Sequence, residues 1–329
     1  MVLNLNCTRL IVFTARLLVM SFTSLAVGAV AYANPDLNHI SAGNASVTQS
    51  GTSTVVNQTS QQAVINWNSF NIGANESTHF QQPTGGVTLN RVNPSQGVSQ
   101  IYGRLTSTGR IIISNPSGIH FGPNSYVNVG GLIATTATLS DENFMNGNYH
   151  FTKVDGYSGA VVNEGTILVA THGLAALVAP GVVNNGRIQA KLGHVVLASG
   201  DAFTVSFSDN NLISFNIDAP ASQPGRDKNG NLLRNGVSNA GEIVANGRTI
   251  LISAKAAQGV LDNTINLEGM IEAKSVDMKN GQLIILGDEN NGVVRVAANI
   301  NVSGKESGQT GGNVDITGFQ VLIDSPGVI

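Results

Sequence analysis

Gly accounts for 38 of the 329 residues and charged residues for 11%, against roughly 7% Gly and roughly 25% charged residues in ordinary globular chains. Asn is nearly as frequent as Gly, and such a chain disfavours a helical protein, whose exposed faces need Glu, Lys, Leu and Ala, while suiting short stacked strands. A formal net charge of −3 argues against nucleic acid as a partner.

The N-terminus reads as a targeting segment. Arg9 and Arg16 supply positive charge, Leu17 to Val30 is apolar apart from Ser21, Thr23 and Ser24, and Ala31-Tyr32-Ala33 is an A-x-A site ahead of Asn34-Pro35. Residues 1–33 are therefore expected to be a signal peptide cut between Ala33 and Asn34. A membrane anchor is the alternative, disfavoured because the apolar core is short for a span. Cys7, the only cysteine, lies inside this segment, so the mature chain has no thiol. Oxidising compartments allow disulfides, and a chain that must later pass a narrow pore unfolded is better without one. Removing Arg9 and Arg16 leaves 17 − 2 = 15 basic against 20 acidic residues.

From Asn34 to about Asn90 the chain is polar and rich in Ser, Thr, Gln and Asn, with short strands near Val47–Val56 and Gln62–Gly73. It reads as a cap, with Ile65, Trp67 and Phe70 pointing inward to plug the end of a solenoid that would otherwise expose its edge. In the stretch that follows, Asn90 to Thr136, three apolar runs (Ile111-Ile112-Ile113, Ile119-His120-Phe121, Leu132-Ile133) are each bounded by turn residues. Gly109 and Gly131 are 131 − 109 = 22 positions apart and each is followed two residues later by Ile, the mark of one coil of a solenoid.

Asn115-Pro116-Ser117-Gly118-Ile119 reads as a rigid corner. Pro116 fixes a torsion, Gly118 accepts a positive φ, and the Asn115 side chain can close the turn. Together with Phe121-Gly122, with Val127-Asn128-x-Gly130-Gly131-Leu132-Ile133-Ala134 and with Trp67-x-Ser69-Phe70-Asn71-Ile72-Gly73, it resembles the filamentous-haemagglutinin N-terminal domain, the secretion domain of two-partner systems. Ser117 departs from the Asn usual in that family and keeps a short hydrogen-bonding side chain.

Residues 140–160 break the periodicity and read as a hairpin excursion, with Phe144, Tyr149 and Phe151 packing back on a flank. A repeat then returns: Asn163-x-Gly165-x-Ile167, Asn184-x-Gly186-x-Ile188, Asn239-x-Gly241-x-Ile243 and Asn266-x-x-Gly269-x-Ile271. Each is matched by a second strand, at Leu174–Val178, Val195–Leu197, Ile250–Ile252 and Leu283–Leu286. Between Gly186 and Gly241 lie extra strands (Phe203–Phe207, Leu212–Ile217) and a polar loop, Ala219 to Gly236, read as outside the repeat and dispensable to it. A parallel β-helix of ten coils or fewer, roughly 40 to 50 Å long, explains this pattern. An antiparallel sandwich does not predict the recurring Asn-x-Gly-x-Ile. From Val293 the strands continue and stop at Ile329 without a cap, as expected of a fragment of a longer rod.

Chemistry is thin. A polysaccharide-active β-helix enzyme needs several acids, often holding calcium, and a basic residue on one face, whereas the acids here are scattered. Asp315, in Gly311-Gly312-x-x-Asp315, is a single weak match to a calcium-binding β-roll. His172 and His194, 22 apart, could stack and share a metal, yet no Cys, Asp or Glu joins them at ligand spacing. Gly103–Gly109 lacks the Lys of a phosphate loop, and no G-x-S-x-G turn is present. No catalytic residue, cofactor or metal is expected.

The resemblance, which spans about Asn34 to Ala273, implies a right-handed parallel β-helix of the pectin-lyase-like kind. It divides the chain into a signal peptide (1–33), a two-partner secretion domain (34–273) and continuing repeats of a passenger (274–329). It implies export through the general inner-membrane machinery into the periplasm of a Gram-negative bacterium. An outer-membrane transporter, with periplasmic polypeptide-binding domains and a β-barrel, then passes the chain to the cell surface. In that reading Asn115, Pro116, Ser117, Gly118 and Ile119 form the secretion motif, and the passenger is an adhesin meeting a host or neighbouring cell. The alternatives are the front end of a contact-dependent toxin or haemolysin, and an autonomous β-helix enzyme.

Overall fold

Short strands punctuated by Gly, Asn, Pro and Ser find their hydrogen-bonding partners one coil onward rather than next in sequence. The computed structural model describes residues 33–207, 213–276, 279–304, 306, 308–325 and 327. Arg9, Arg16, Cys7, Ala31 and Leu212 lie outside them. One coil shows the plan: Arg110–Ser114 on a first face, Ile119–Phe121 on a second, Tyr126–Val129 on a third, then Gly131–Thr135 back on the first. Each pairs in parallel with its equivalents in neighbouring coils. Among the described residues three sheets of ten, eight and ten strands result, a parallel β-helix. The first face carries nine parallel strands from Gln62–Ser69 to Asn313–Thr317, about 40 Å of stacking.

The cap is antiparallel. Asp36–Ala42 pairs with Gln62–Ser69, and Ala45–Ser50 forms a hairpin with Ser53–Gln58, which hands over to the first parallel pairing at Ser77–Gln81. Ile65, Trp67 and Phe70 are buried as the sequence implies. Trp67 packs edge-on against Phe70 at 5.3 Å, and its indole N–H donates to Asn90 Oδ1 at 3.0 Å, so the plug has its polar atom satisfied.

Inward side chains form columns. Ile167, Ile188, Ile243 and Ile271 sit in register along the third face, all with no exposure. The glycines two positions before them stack so closely that a Cβ on Gly186 would lie 2.1 Å from the Gly165 carbonyl oxygen. On the second face Asn163, Asn184 and Asn239 form a buried ladder: Asn163 Nδ2 donates to Asn184 Oδ1 at 2.8 Å, and Asn184 Nδ2 to Asn239 Oδ1 at 2.7 Å.

Through its middle coils the first face is buried on both sides, as its unbroken apolar runs there demand. Its outer side carries Val64, Leu89, Ile112, Ile133, Ala176 and Val196, covered by a separate antiparallel sheet of Tyr149–Thr152, Ala202–Phe207 and Ile213–Ala219.

Several sequence expectations are corrected. Gly109 is equivalent to Gly130, not Gly131: the Gly130 N–H donates to the Gly109 carbonyl, and Ile112 pairs with Ile133. Two adjacent glycines hid the one-residue slip, and such a slip exchanges the two sides of a strand. Residues 140–160 are not a hairpin. They are a short helix, Asp141–Met145, capped by the Ser140 side chain, followed by a strand whose partner lies some 50 residues later, although Phe144, Tyr149 and Phe151 do pack on the flank. Asn266 is not in the ladder, because Leu267 pairs with Asn239. The 219–236 loop is stitched to the coils rather than dispensable: Arg226 pairs with residues 158 to 160, Ala221 is buried beside Ala256, and Asn235 already belongs to a strand. His172 does not stack on His194, whose partner in register is Leu174.

Candidate functional site

The corner between the first and second faces begins where Pro116 cannot continue a strand ladder. Asn115 is wholly buried and fully used: its Oδ1 accepts from the Ser117 N–H at 3.0 Å, and its Nδ2 donates to the Gly97 carbonyl at 3.0 Å and to Ser99 Oγ at 2.9 Å. The Gly118 N–H closes the turn onto the Asn115 carbonyl at 2.9 Å, with Gly118 at φ +118°. Ser117 Oγ donates to the Pro94 carbonyl at 2.7 Å, and the Pro116 carbonyl accepts from the Gly159 N–H at 3.1 Å. Ile119 points inward, in register with Ser99 and Val161. Of the five motif residues only Ser117 is more than marginally accessible.

One coil earlier, Asn93-Pro94-Ser95 makes a related turn that the sequence reading missed. Asn93 Oδ1 accepts from the Ser95 N–H at 3.1 Å, and Gly97 ends the turn at φ +85°. The signal was present as a second Asn-Pro-Ser, 115 − 93 = 22 positions before the first. Here Asn93, Ser95, Gln96 and Gly97 are exposed. The buried turn therefore holds up an exposed one through Asn115 and Ser117.

Beside this corner the 219–236 loop lays its tip on the second face. Lys228 Nζ lies 3.1 Å from His120 Nε2 and 3.2 Å from the Tyr102 hydroxyl, and Glu164 Oε2 approaches the same His120 nitrogen at 3.2 Å. Burial, then the Lys228 charge, push the His120 pKa below its ordinary value, and Glu164 and Asp227 oppose them. Val98, Ser117, Tyr157, Arg226 and Lys228 line a shallow groove of about 330 Å³ there. Among the described residues no three His, Cys, Asp or Glu gather as a metal site would require. The arrangement is built of turns, backbone groups and a groove lined by both apolar and charged side chains.

At the expected cleavage point, the Ala33 N–H donates to Glu76 Oε1 at 2.7 Å and Asn34 Nδ2 donates to the Gly51 carbonyl at 2.8 Å, so Asn34 is fixed to the cap.

Comparison with known proteins gives concordant results. The TPS secretion domain family matches residues 31–316. A heme/hemopexin-binding protein of Haemophilus influenzae strain Rd is 31% identical over 265 residues, covering 78% of this chain and 27% of that protein. A second heme/hemopexin-binding protein from Haemophilus influenzae is 31% identical over 255 residues, covering 71% and 26%. The chain thus spans about a quarter of the length of these relatives. The crystal structure of the HMW1 secretion domain from Haemophilus influenzae superposes with a TM-score of 0.73 at 29% identity, over 88% of this chain and 72% of that one. With the coil plan and the Asn-Pro corner, the match over residues 31–316 places this chain in the TPS secretion domain family, the domain of two-partner secreted exoproteins rather than of enzymes.

Proposed function

We propose that this domain addresses its chain to a cognate outer-membrane transporter, whose periplasmic polypeptide-binding domains engage the region around the Asn115 corner before the β-barrel passes the chain outward. Residues 1–33 direct the chain through the inner membrane and are removed after Ala33. The observation that carries the reading is the corner itself, in which Asn115 uses every hydrogen-bonding atom of its side chain to brace the exposed turn at residues 93–97. An extended segment of the chain, added as a strand to an exposed sheet edge, is a physical mode open to such binding domains. Coil-on-coil folding of the remaining chain outside the cell then opposes return, because stacking is local and directional.

The passenger acts at the cell surface as an adhesin, the role implied by the haemagglutinin resemblance. The two relatives named for heme/hemopexin binding favour a second reading, capture of a heme–protein complex. Cells exporting the whole protein separate the two by adherence to host cells and by retention of heme–hemopexin.

The secretion role is tested with Asn115→Ala, by measuring surface protein with the transporter present and absent beside the Tm of the purified variant. The expected result is a folded variant that accumulates in the periplasm. Wild-type surface levels for that variant overturn the role of Asn115; export that is independent of the transporter overturns the two-partner reading.

A further inference from the structure

Glu76 is a buried carboxylate, 7% exposed, at the start of the cap's first parallel strand pairing. Among the described residues its two oxygens accept only backbone N–H groups, Oε1 from Ala33 at 2.7 Å and Oε2 from Gly73 at 2.7 Å. No basic side chain among the described residues pairs with it. A buried carboxylate without a cation is costly, because two amide dipoles replace its hydration incompletely. A second unmet group lies at the residue after Ala33: the Asn34 Oδ1 is buried and has no hydrogen-bond partner among the described residues.

We infer that this pair of acceptors is the seat of the mature amino terminus. Hydrolysis of the Ala33–Asn34 bond, with water as co-reactant, leaves the leader ending in the Ala33 carboxylate and the mature chain beginning in the α-ammonium of Asn34. That nitrogen lies one residue from the amide now bonded to Glu76, within about 4 Å of it along the chain. Asn34 is already positioned by its Nδ2 bond to Gly51, and Pro35 behind it is buried. Cleavage therefore exchanges a neutral N–H for a cation with three donors, beside a carboxylate that lacks a counter-charge and an amide oxygen that lacks a donor. The cap carries a site specific for a primary α-ammonium at Asn34, and the mature chain closes its first coil with an ion pair that the uncut chain cannot make. This inference rests on the leader reading of residues 1–33.

The test is a double-mutant cycle on the exported protein. Its mass is determined, its α-amine is left free or selectively acetylated, and both forms are melted in the wild-type and Glu76→Gln backgrounds. Acetylation is expected to lower the wild-type Tm by several degrees and to leave the Glu76→Gln Tm nearly unchanged. The α-amine, followed by NMR, should titrate above the ordinary range of about 7.7 to 8.0 in wild type and return to it in Glu76→Gln. A mass that retains Ala33 overturns the leader reading and this inference with it. A start at Asn34 with equal Tm losses in the two backgrounds, or with an ordinary amine titration in wild type, overturns the inference and leaves the leader reading standing.

Discussion

Lys228 Nζ lies 3.1 Å from His120 Nε2, joining the tip of a loop to the residue that follows the corner motif across 108 positions of sequence. His120 is 3% exposed, and its nitrogen can accept from Lys228 only while the ring is neutral at that atom. Protonation turns Nε2 into a donor for Glu164 and sets two cations face to face. The folded pKa is held below the unfolded value near 6.5, so the unfolded chain binds more protons in the window just below that value. Stability from this group is therefore complete above about pH 6.5 and is lost as pH falls toward the lowered folded value. Urea midpoints measured at pH 7.5 and pH 5 should fall further for wild type than for His120→Asn. Equal falls would remove His120 as a determinant of acid sensitivity.

The loop that carries Lys228 should matter to the fold. Its contacts include Ser158 Oγ donating to the Pro224 carbonyl at 2.7 Å, and a Leu233 side chain seated against Gly181. Replacing residues 223–233 with a Gly/Ser segment of equal length is expected to destabilise by more than about 2 kcal/mol, since packing and backbone order are both lost. Lys228→Ala alone should cost much less. A Tm for the Gly/Ser variant within a degree of wild type would restore the loop to the status of a free insertion.

Much of this architecture was legible because the third face obeys period two, buried positions alternating with more accessible ones in strands such as Tyr126–Val129 and Thr166–Val169. Inward Ile188 could be placed from that alternation alone. The first face was harder. Leu174–Ala179 is buried at every position because Phe151 and Phe203, from segments far apart in sequence, cover its outer side, so no local period marks which residues point in. The same non-locality hid the docking of Lys228 on His120. At the corner, Asn-Pro-Ser chemistry announced a turn, but burial of Asn115 follows from Gly97 and Ser99 one coil away and has no local signature.

The glycine column leaves no room for a side chain. Gly186→Ala should prevent coil closure, because its Cβ would stand 2.1 Å from a backbone oxygen that cannot yield without moving the preceding coil. Gly147→Ala is the matched control: that site has φ +74° and open space, so its cost is the left-handed penalty of about 1–2 kcal/mol. Circular dichroism melts should rank them clearly, and comparable Tm values for the two variants would contradict the stacking.

The asparagine ladder should respond by position. Asn184 both accepts from Asn163 and donates to Asn239, so Asn184→Leu strands two buried groups, at about 1–3 kcal/mol each. Asn239 is the end of the ladder and faces Leu267, so Asn239→Leu strands only the Asn184 amide and gains an apolar neighbour. The expected order in denaturant midpoint is wild type, then Asn239→Leu, then Asn184→Leu. The reverse order would mean that apolar volume, not hydrogen bonding, governs this column.

Ile188 tests the register of the whole rod. It stands between Ile167 and Ile243 with no exposure, so Ile188→Asp places a carboxylate in an aliphatic column. The ring of residues around it offers only backbone already committed to the ladder, and the Asp must either ionise unpaired or take up a proton inside the rod. A loss above about 4 kcal/mol is expected, enough to abolish a cooperative transition at neutral pH. Ile188→Val removes one methyl group and should cost only about 0.5–1.5 kcal/mol. Partial recovery of Ile188→Asp at pH 4, where the neutral acid is populated, would identify the charge rather than the lost volume as the cause. A melt of Ile188→Asp that matched Ile188→Val at pH 7 would require Ile188 to face solvent, and every inward position on the third face would then shift by one.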